Sequence, residues 1–169
     1  MSTVVGKYIG MCIERYGVNR IKMLDDIPES RRSVVAEVAG DYLAEPNEGT
    51  KNPRDLRTAI ELFIIAKSIP KLLTSFGTAK TLKQHNYCSK VIDAIEAILS
   101  EKPDERKKYE KDLKEVYEAL IEAGENSLEG LDSESAIKFW ELADSYRLLD
   151  DERKELLESL KIMKEKRYD

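Results

Sequence analysis

The side chains best suited to chemistry in this 169-residue chain are its single histidine and its two cysteines. His85 lies three residues before Cys88, a spacing that lets both side chains reach one metal ion from the same face of a helix. Cys12 or Asp93 would be the further ligands. A structural zinc site normally draws four ligands from paired motifs, and a Cys–His nucleophile needs an oxyanion site that faces both groups. Neither pattern is visible, so the sequence predicts no metal, no cofactor and no catalytic residue.

Two other patterns suggest chemistry but have simpler explanations. Residues 77–81 read Gly-Thr-Ala-Lys-Thr, which has the order of a phosphate-binding loop without the earlier glycine and the preceding strand of that motif. We expect Gly77 to end a helix instead. Carboxylate pairs such as Glu118 with Glu122 fall on faces predicted to meet water, where burial does not raise a carboxyl pKa as a general acid requires. We therefore interpret both patterns as structural.

Composition and charge narrow the class of protein. The chain is 41% hydrophobic and 36% charged, with 28 basic and 33 acidic side chains. A chain of this size buries about two thirds of the surface that its unfolded form exposes, which predicts a core without disulfides or metal. The lone histidine excludes ferritin-like di-iron bundles and HExxH metalloproteases. No apolar run predicts a membrane span, no secretory signal is visible, and two cysteines exclude a disulfide framework, so we expect a cytoplasmic protein.

The elements that must position these residues are helices, because proline and glycine are confined to short stretches between long patterns of 3.6-residue period. Asn52 and Asp132 are the predicted N-caps of two of them. Gly6 and Gly10 in the first helix predict either a close helix–helix approach or an irregular start. Helices are expected over residues 4–16, 33–44, 52–69, 87–99, 110–124, 132–147 and 150–167. The prediction is a single all-α domain over residues 1–169, with six to eight helices and substructure at 1–50, 51–100 and 104–169.

Two helical segments share a pattern. Residues 59–66 and 136–143 both read Ala-Ile-x-x-aromatic-x-x-Ala, and small residues of this kind let a neighbouring helix come close while the aromatic fills the gap. With Gly124 twelve residues before Ala136 and Leu120 four residues earlier, the chain resembles tetratricopeptide-type repeats, best over residues 110–166. The resemblance implies stacked helical hairpins that bind protein. Ser127 and Leu148 depart from the family pattern, and an irregular helical bundle is the alternative.

Aromatic side chains are the first candidates for a binding surface, since aromatic anchors dominate protein interfaces. Helical phase places Trp140 in the core and Phe139 toward the edge of the apolar stripe. Phe139, Tyr146 and Tyr117 are therefore the predicted partner-binding residues. Tyr8, Tyr16 and Met11 are expected to form a second patch on the first helix.

A locally basic segment gives the alternative function. Residues 62–92 contain no acidic side chain, whereas Lys67, Lys71, Lys80, Lys83 and Lys90 occur there with hydroxyl and amide side chains and Tyr87. Lysines hold a nucleic-acid backbone, and Tyr87 or His85 would stack on a base. Against this, the segment has no arginine and the net charge is −5, so a solvated connector between two helices explains the same composition.

These observations rank three functions. The first is a non-enzymatic interaction or scaffold module whose partner is another protein or a second copy of the chain. The second is a nucleic-acid-associated protein that uses the Lys-rich segment 62–92. The third is an enzyme whose site the sequence does not reveal.

Overall fold

The computed structural model describes residues 1–166, and these form an all-α fold, which confirms the predicted fold class. No β-strand occurs in this range, where Pro46 and Pro53 make an isolated antiparallel bridge. Two 3₁₀ segments join helices, a long one over Val18–Asp26 and a single turn over Pro103–Glu105. The α-helices are α1 (Ser2–Tyr16), α2 (Glu29–Ala44), α3 (Leu56–Ile65), α4 (Ile69–Thr81), α5 (His85–Glu101), α6 (Arg106–Glu129), α7 (Ser133–Ser145) and α8 (Asp151–Lys166).

The chain divides into two compact units. The first contains Met1–Gly77 and Lys90–Glu101, and the second contains Thr78–Ser89 and the chain from Lys102 onward. Arg167, the predicted end of the last helix, lies outside the described residues. Both cysteines are buried free thiols, Cys12 in the first unit and Cys88 in the second.

In the first unit α1 and α2 pack closely and run parallel. Glycine makes this approach feasible, because a Cβ added at Gly6 would lie 2.6 Å from the Cβ of Val38, and one added at Gly10 would lie 2.9 Å from the ring of Tyr42. The long 3₁₀ segment returns the chain to the start of α2, where Arg32 donates hydrogen bonds to the carbonyl oxygens at its end. The close helix–helix approach expected from the two glycines is therefore present.

The helix predicted over residues 52–69 differs in two ways. Its N-cap is Asp55, whose side chain accepts a hydrogen bond from the backbone N–H of Thr58, and not Asn52. It also ends at Ile65, because Lys67 adopts the left-handed conformation with φ of 52° and α4 begins after it. The prediction that Gly77 ends a helix is wrong, since Gly77 lies inside α4. The segment 62–92 is mostly helical rather than a connector.

In the second unit α7 packs against both α6 and α8. Asp132 is the N-cap of α7, as predicted, and accepts a hydrogen bond from the backbone N–H of Ser135 at 3.1 Å. Trp140 is 3% exposed, which confirms its core position. Its indole N–H donates to the carbonyl oxygen of Ile121 at 3.1 Å. The ring covers Gly124 so closely that a Cβ there would collide with it.

The hairpins α2–α3 and α6–α7 share the same internal arrangement. In the first, a Cβ added at Gly40 would lie 2.6 Å from the ring of Phe63, so an aromatic again covers a glycine of the preceding helix. The aspartate N-cap lies eight residues before the aromatic in both, and a fully buried alanine follows the cap by four. The repeated sequence pattern thus corresponds to a repeated packing contact.

Four helices end with a non-glycine residue in the left-handed conformation. In each, the next residue's N–H donates to the carbonyl oxygen five residues back, which is the 6→1 bond of a Schellman motif. The exposed Leu131 follows Gly130, yet it is Leu131 that takes the positive φ. The four residues, with φ between 52° and 61°, are Lys67, Lys83, Leu131 and Arg147.

Candidate interaction surface

The sequence predicted an exposed aromatic patch in the second unit that includes Phe139. This part of the prediction is wrong, because Phe139 is buried. This side chain is 1% exposed and lines a small cleft together with Lys80 and Ser127. Because α7 has neighbours on more than one side, both the Trp140 face and the Phe139 face are covered. Phe139 therefore contributes to the core and offers no surface to a partner.

Tyr117 and Tyr146, the other two candidates, do come together. Their ring centroids lie 5.8 Å apart with the planes tilted by 52°, and both side chains are half-buried. The hydroxyl of Tyr146 lies 3.4 Å from the hydroxyl of Ser89. The pair is thus engaged with neighbours inside its own unit, and only part of each ring faces solvent.

The lysines of the segment 62–92 are largely neutralised by carboxylates from other helices. Lys67 pairs with Glu101 at 2.8 Å, and Lys83 pairs with Asp132 at the start of α7. The remaining pairs, each at 3.1 Å, are Lys71 with Asp41 and Lys90 with Glu61. The segment has no acidic residues of its own, but in the fold carboxylates from elsewhere in the chain lie beside its lysines. The alternative nucleic-acid surface therefore gains no support from the geometry.

The pair His85 and Cys88 lies at the start of α5. Cys88 is fully buried, and burial raises the pKa of its thiol to about 12, so it stays protonated near neutral pH. Burial and the nearby Lys138 ammonium lower the pKa of His85. A protonated thiol is neither a nucleophile nor a metal ligand. Within residues 1–166, no three metal-ligating side chains come together.

The most exposed apolar surface of the first unit lies on α1. Val4, Tyr8 and Met11 are 67%, 58% and 48% exposed, and Met1 continues their line at the N-terminal end. Spacings of three and four residues put all four on one side of the helix. Tyr8 and Met11 belong to the patch that was predicted for the first helix, whereas Val4 and Met1, which continue the same face, were not predicted.

This stripe lies opposite the face by which α1 packs on α2. Gly6, Ile9 and Ile13 are buried on that inner face. The helix is therefore apolar on both sides, although only one side has a neighbour within its unit. A helix that is apolar all round is ordinarily covered all round. The outer face of α1 is the part of this helix that its own unit leaves uncovered.

An apolar groove adjoins the N-terminal end of the stripe. It has a volume of about 340 Å³ and runs between the start of α1 and the start of α2. Arg31 stands exposed on its rim, and the exposed Val34 follows on α2. The apolar lining comes from Met1, Val5, Ile27, Pro28 and Val35.

Basic side chains outnumber acidic ones around this surface. Residues 1–32 contain six basic and four acidic side chains, and three of the acids, Asp25, Asp26 and Glu29, are exposed next to the groove. The fourth acid is Glu14. Glu14 is already engaged, because it accepts a hydrogen bond from the hydroxyl of Tyr42 at 2.6 Å and pairs with Arg54 at 3.4 Å. The exposed basic residues are Lys7, Arg15, Arg20, Lys22 and Arg31.

Tyr16 extends this basic, apolar surface beyond the stripe. The guanidinium groups of Arg15 and Arg20 lie 5.5 and 5.1 Å from the centre of its ring. At such distances a cation is attracted by the face of the ring. The two arginines are thereby held beside the end of α1. We define the α1 surface as Met1, Val4, Tyr8, Met11 and the adjoining groove.

Comparison with family models, with curated proteins and with solved structures finds no match to this chain. Among the helices of residues 1–166, none combines the length and the apolar character needed to cross a bilayer.

Proposed function

We propose that this chain is a non-enzymatic protein-interaction module of the cytoplasm, built from stacked helical hairpins of tetratricopeptide-like type. It binds another protein through the α1 surface. The observation that carries the proposal is the exposed stripe of Val4, Tyr8 and Met11, on the side of α1 opposite its packing face. Contiguous exposed apolar surface rimmed by polar residues marks interaction sites in soluble proteins.

The repeat-like architecture is supported by the two hairpins that share one contact. Phe63 over Gly40 and Trp140 over Gly124 occupy corresponding places after an aspartate N-cap. Helical-hairpin repeats present extended surfaces to binding partners. The protonated Cys88 thiol fits this view, because it lacks the thiolate of a nucleophile.

The test is a pull-down from native cell extract with the full chain, divided into nuclease-treated and untreated halves and washed across a salt series. The Tyr8→Glu/Met11→Glu variant places charges on two exposed residues of the stripe. The matched control is Leu156→Glu/Ile162→Glu, which changes two similarly exposed apolar residues of α8.

We expect a protein that survives nuclease and high salt, is retained by the control variant, and is lost by the α1 variant. Capture that disappears with nuclease and weakens steeply with salt would support the alternative, because release of counterions makes nucleic-acid binding salt-dependent. The residues to replace would then be Lys67, Lys71, Lys80, Lys83 and Lys90. A partner retained equally by both variants would contradict the assignment to α1.

A further inference from the structure

We propose that the partner of the α1 surface presents an acidic amphipathic helix. One large apolar side chain of that helix occupies the groove between α1 and α2, and a carboxylate meets Arg31. This inference rests on the proposed function and adds the chemistry of the partner to it.

The dimensions of the surface fit a helix. From Met1, the N-cap residue, to Met11 the chain advances ten residue steps, which is about 15 Å or almost three turns at ~1.5 Å per residue. A partner helix that lies along this line contributes apolar residues at positions i, i+4 and i+7, the usual pattern of helix-in-groove recognition. A short stripe of this length suits one helix better than a large flat interface.

The groove favours a side chain over a flat surface. At about 340 Å³ it falls at the lower end of the ~300–1,000 Å³ range of pockets that enclose ligands. Its walls are Met1, Val5 and Val35 with the ring of Pro28. A projecting leucine or phenylalanine fills such a concave site.

Charge selects an acidic partner. Residues 1–32, which include the groove, carry six basic side chains against four acids, and the carboxylate of one of these acids, Glu14, is engaged by Tyr42 and Arg54. Two-fold pairing of α1 with the α1 of a second copy, centred on the stripe, would bring Lys7 close to Lys7 of the other copy. Like charges of that kind oppose association, while carboxylates beside an apolar seam favour it.

The experiment is a selection of 16-residue peptides from a displayed random library on the immobilised full chain, with the Tyr8→Glu/Met11→Glu variant as the counter-target. Circular dichroism and thermal unfolding of the variant verify that it folds. We expect the enriched peptides to combine net negative charge with apolar residues at helical spacing, and to bind the unchanged chain at least tenfold more tightly than the variant. Arg31→Glu should weaken the same peptides by about tenfold, and Arg57→Glu, on α3, serves as the charge-matched control.

The outcomes separate this inference from the proposed function. If the enriched peptides depend on Tyr8 and Met11 but are neutral or basic, the proposal of an acidic partner is wrong, while the proposed interaction module is retained. Peptides that bind the variant equally overturn both. Binding to vesicles of phosphatidylserine and phosphatidylcholine that the variant loses overturns the protein helix in favour of a membrane. A dimer in sedimentation velocity that the variant loses overturns it in favour of a second copy.

Discussion

Trp140 lies directly on Gly124, and its indole N–H reaches the carbonyl oxygen of Ile121 at 3.1 Å. The contact joins α6 to α7 at the point where only a glycine leaves space for the ring. It also explains why a glycine, a poor helix former, occurs inside α6.

Gly124→Ala should destabilise the second unit. The added methyl has no room under the indole, and overpacking of this kind costs about 1–3 kcal/mol even after the gain in helix propensity. Gly77→Ala is the matched control, because a Cβ there would meet no atom within 4 Å, and it should raise stability by about 0.5–1 kcal/mol. Urea unfolding of the two variants measures both effects. Equal stability of the two variants would contradict the packing role of Gly124.

Asp55→Ala should lower the free energy of unfolding by about 1 kcal/mol, because the backbone N–H of Thr58 loses its acceptor at the start of α3. Asn52→Ala, at the residue that the sequence suggested as the cap, is the control. We expect it to change stability by less than about 0.5 kcal/mol. The comparison by chemical denaturation decides which residue caps the helix.

Leu131→Gly should stabilise the chain by about 0.5–1 kcal/mol. Leu131 is 95% exposed, so replacing its side chain removes no buried contact. Its φ of 61° is strained for an L-residue, whereas glycine adopts this conformation without strain. Gly130→Ala is the control, since Gly130 has an ordinary negative φ and room for a methyl. The midpoint of thermal unfolding reports the difference. A lower midpoint for Leu131→Gly would refute the strain.

The Lys83–Asp132 pair should make stability depend on acid pH. The hydrogen bond from the Lys83 ammonium, and then that from the Ser135 backbone N–H, lower the pKa of Asp132 from 3.8 to about 2. Because the folded-state pKa lies below the unfolded value, the unfolded chain binds more protons in this range. The contribution is fully present above the unfolded pKa and is lost as pH falls toward 2.

Asp132→Asn keeps an acceptor for the cap but does not titrate, so it isolates this contribution. We expect the stability difference between the unchanged chain and the variant to shrink as pH is lowered through the range from about 4 to about 2. Urea titrations at several pH values measure it. A difference that stays constant with pH would exclude Asp132 as the titrating group.

The fold class and most helices could be predicted because they depend on local signals. Asp132 as a cap, Trp140 in the core and the opposed charges at the ends of α8 follow from rules that operate within one or two turns. The outer patch on α1 was also partly predictable, since Tyr8 and Met11 share a face that Gly6 and Gly10 do not.

The wrong predictions concern residues whose burial or ion pairing depends on helices distant in the sequence. Periodicity identifies an apolar face but does not count the helices that cover it, so the burial of Phe139 could not be read from its phase. Similarly, the partners of Lys67 and Lys71 are carboxylates 34 and 30 residues away along the chain, beyond any local window. The helix break at Lys67 was missed because the left-handed residue is not a glycine.

The two buried cysteines allow local opening of each compact unit to be measured separately. One thiol lies inside each compact unit, Cys12 in the first and Cys88 in the second. A thiol-reactive reagent reaches each sulfur only when the surrounding helices separate. In a variant that keeps a single cysteine, the rate of labelling therefore reports how often that unit opens. Comparing the two labelling rates then shows whether the two units open together or independently.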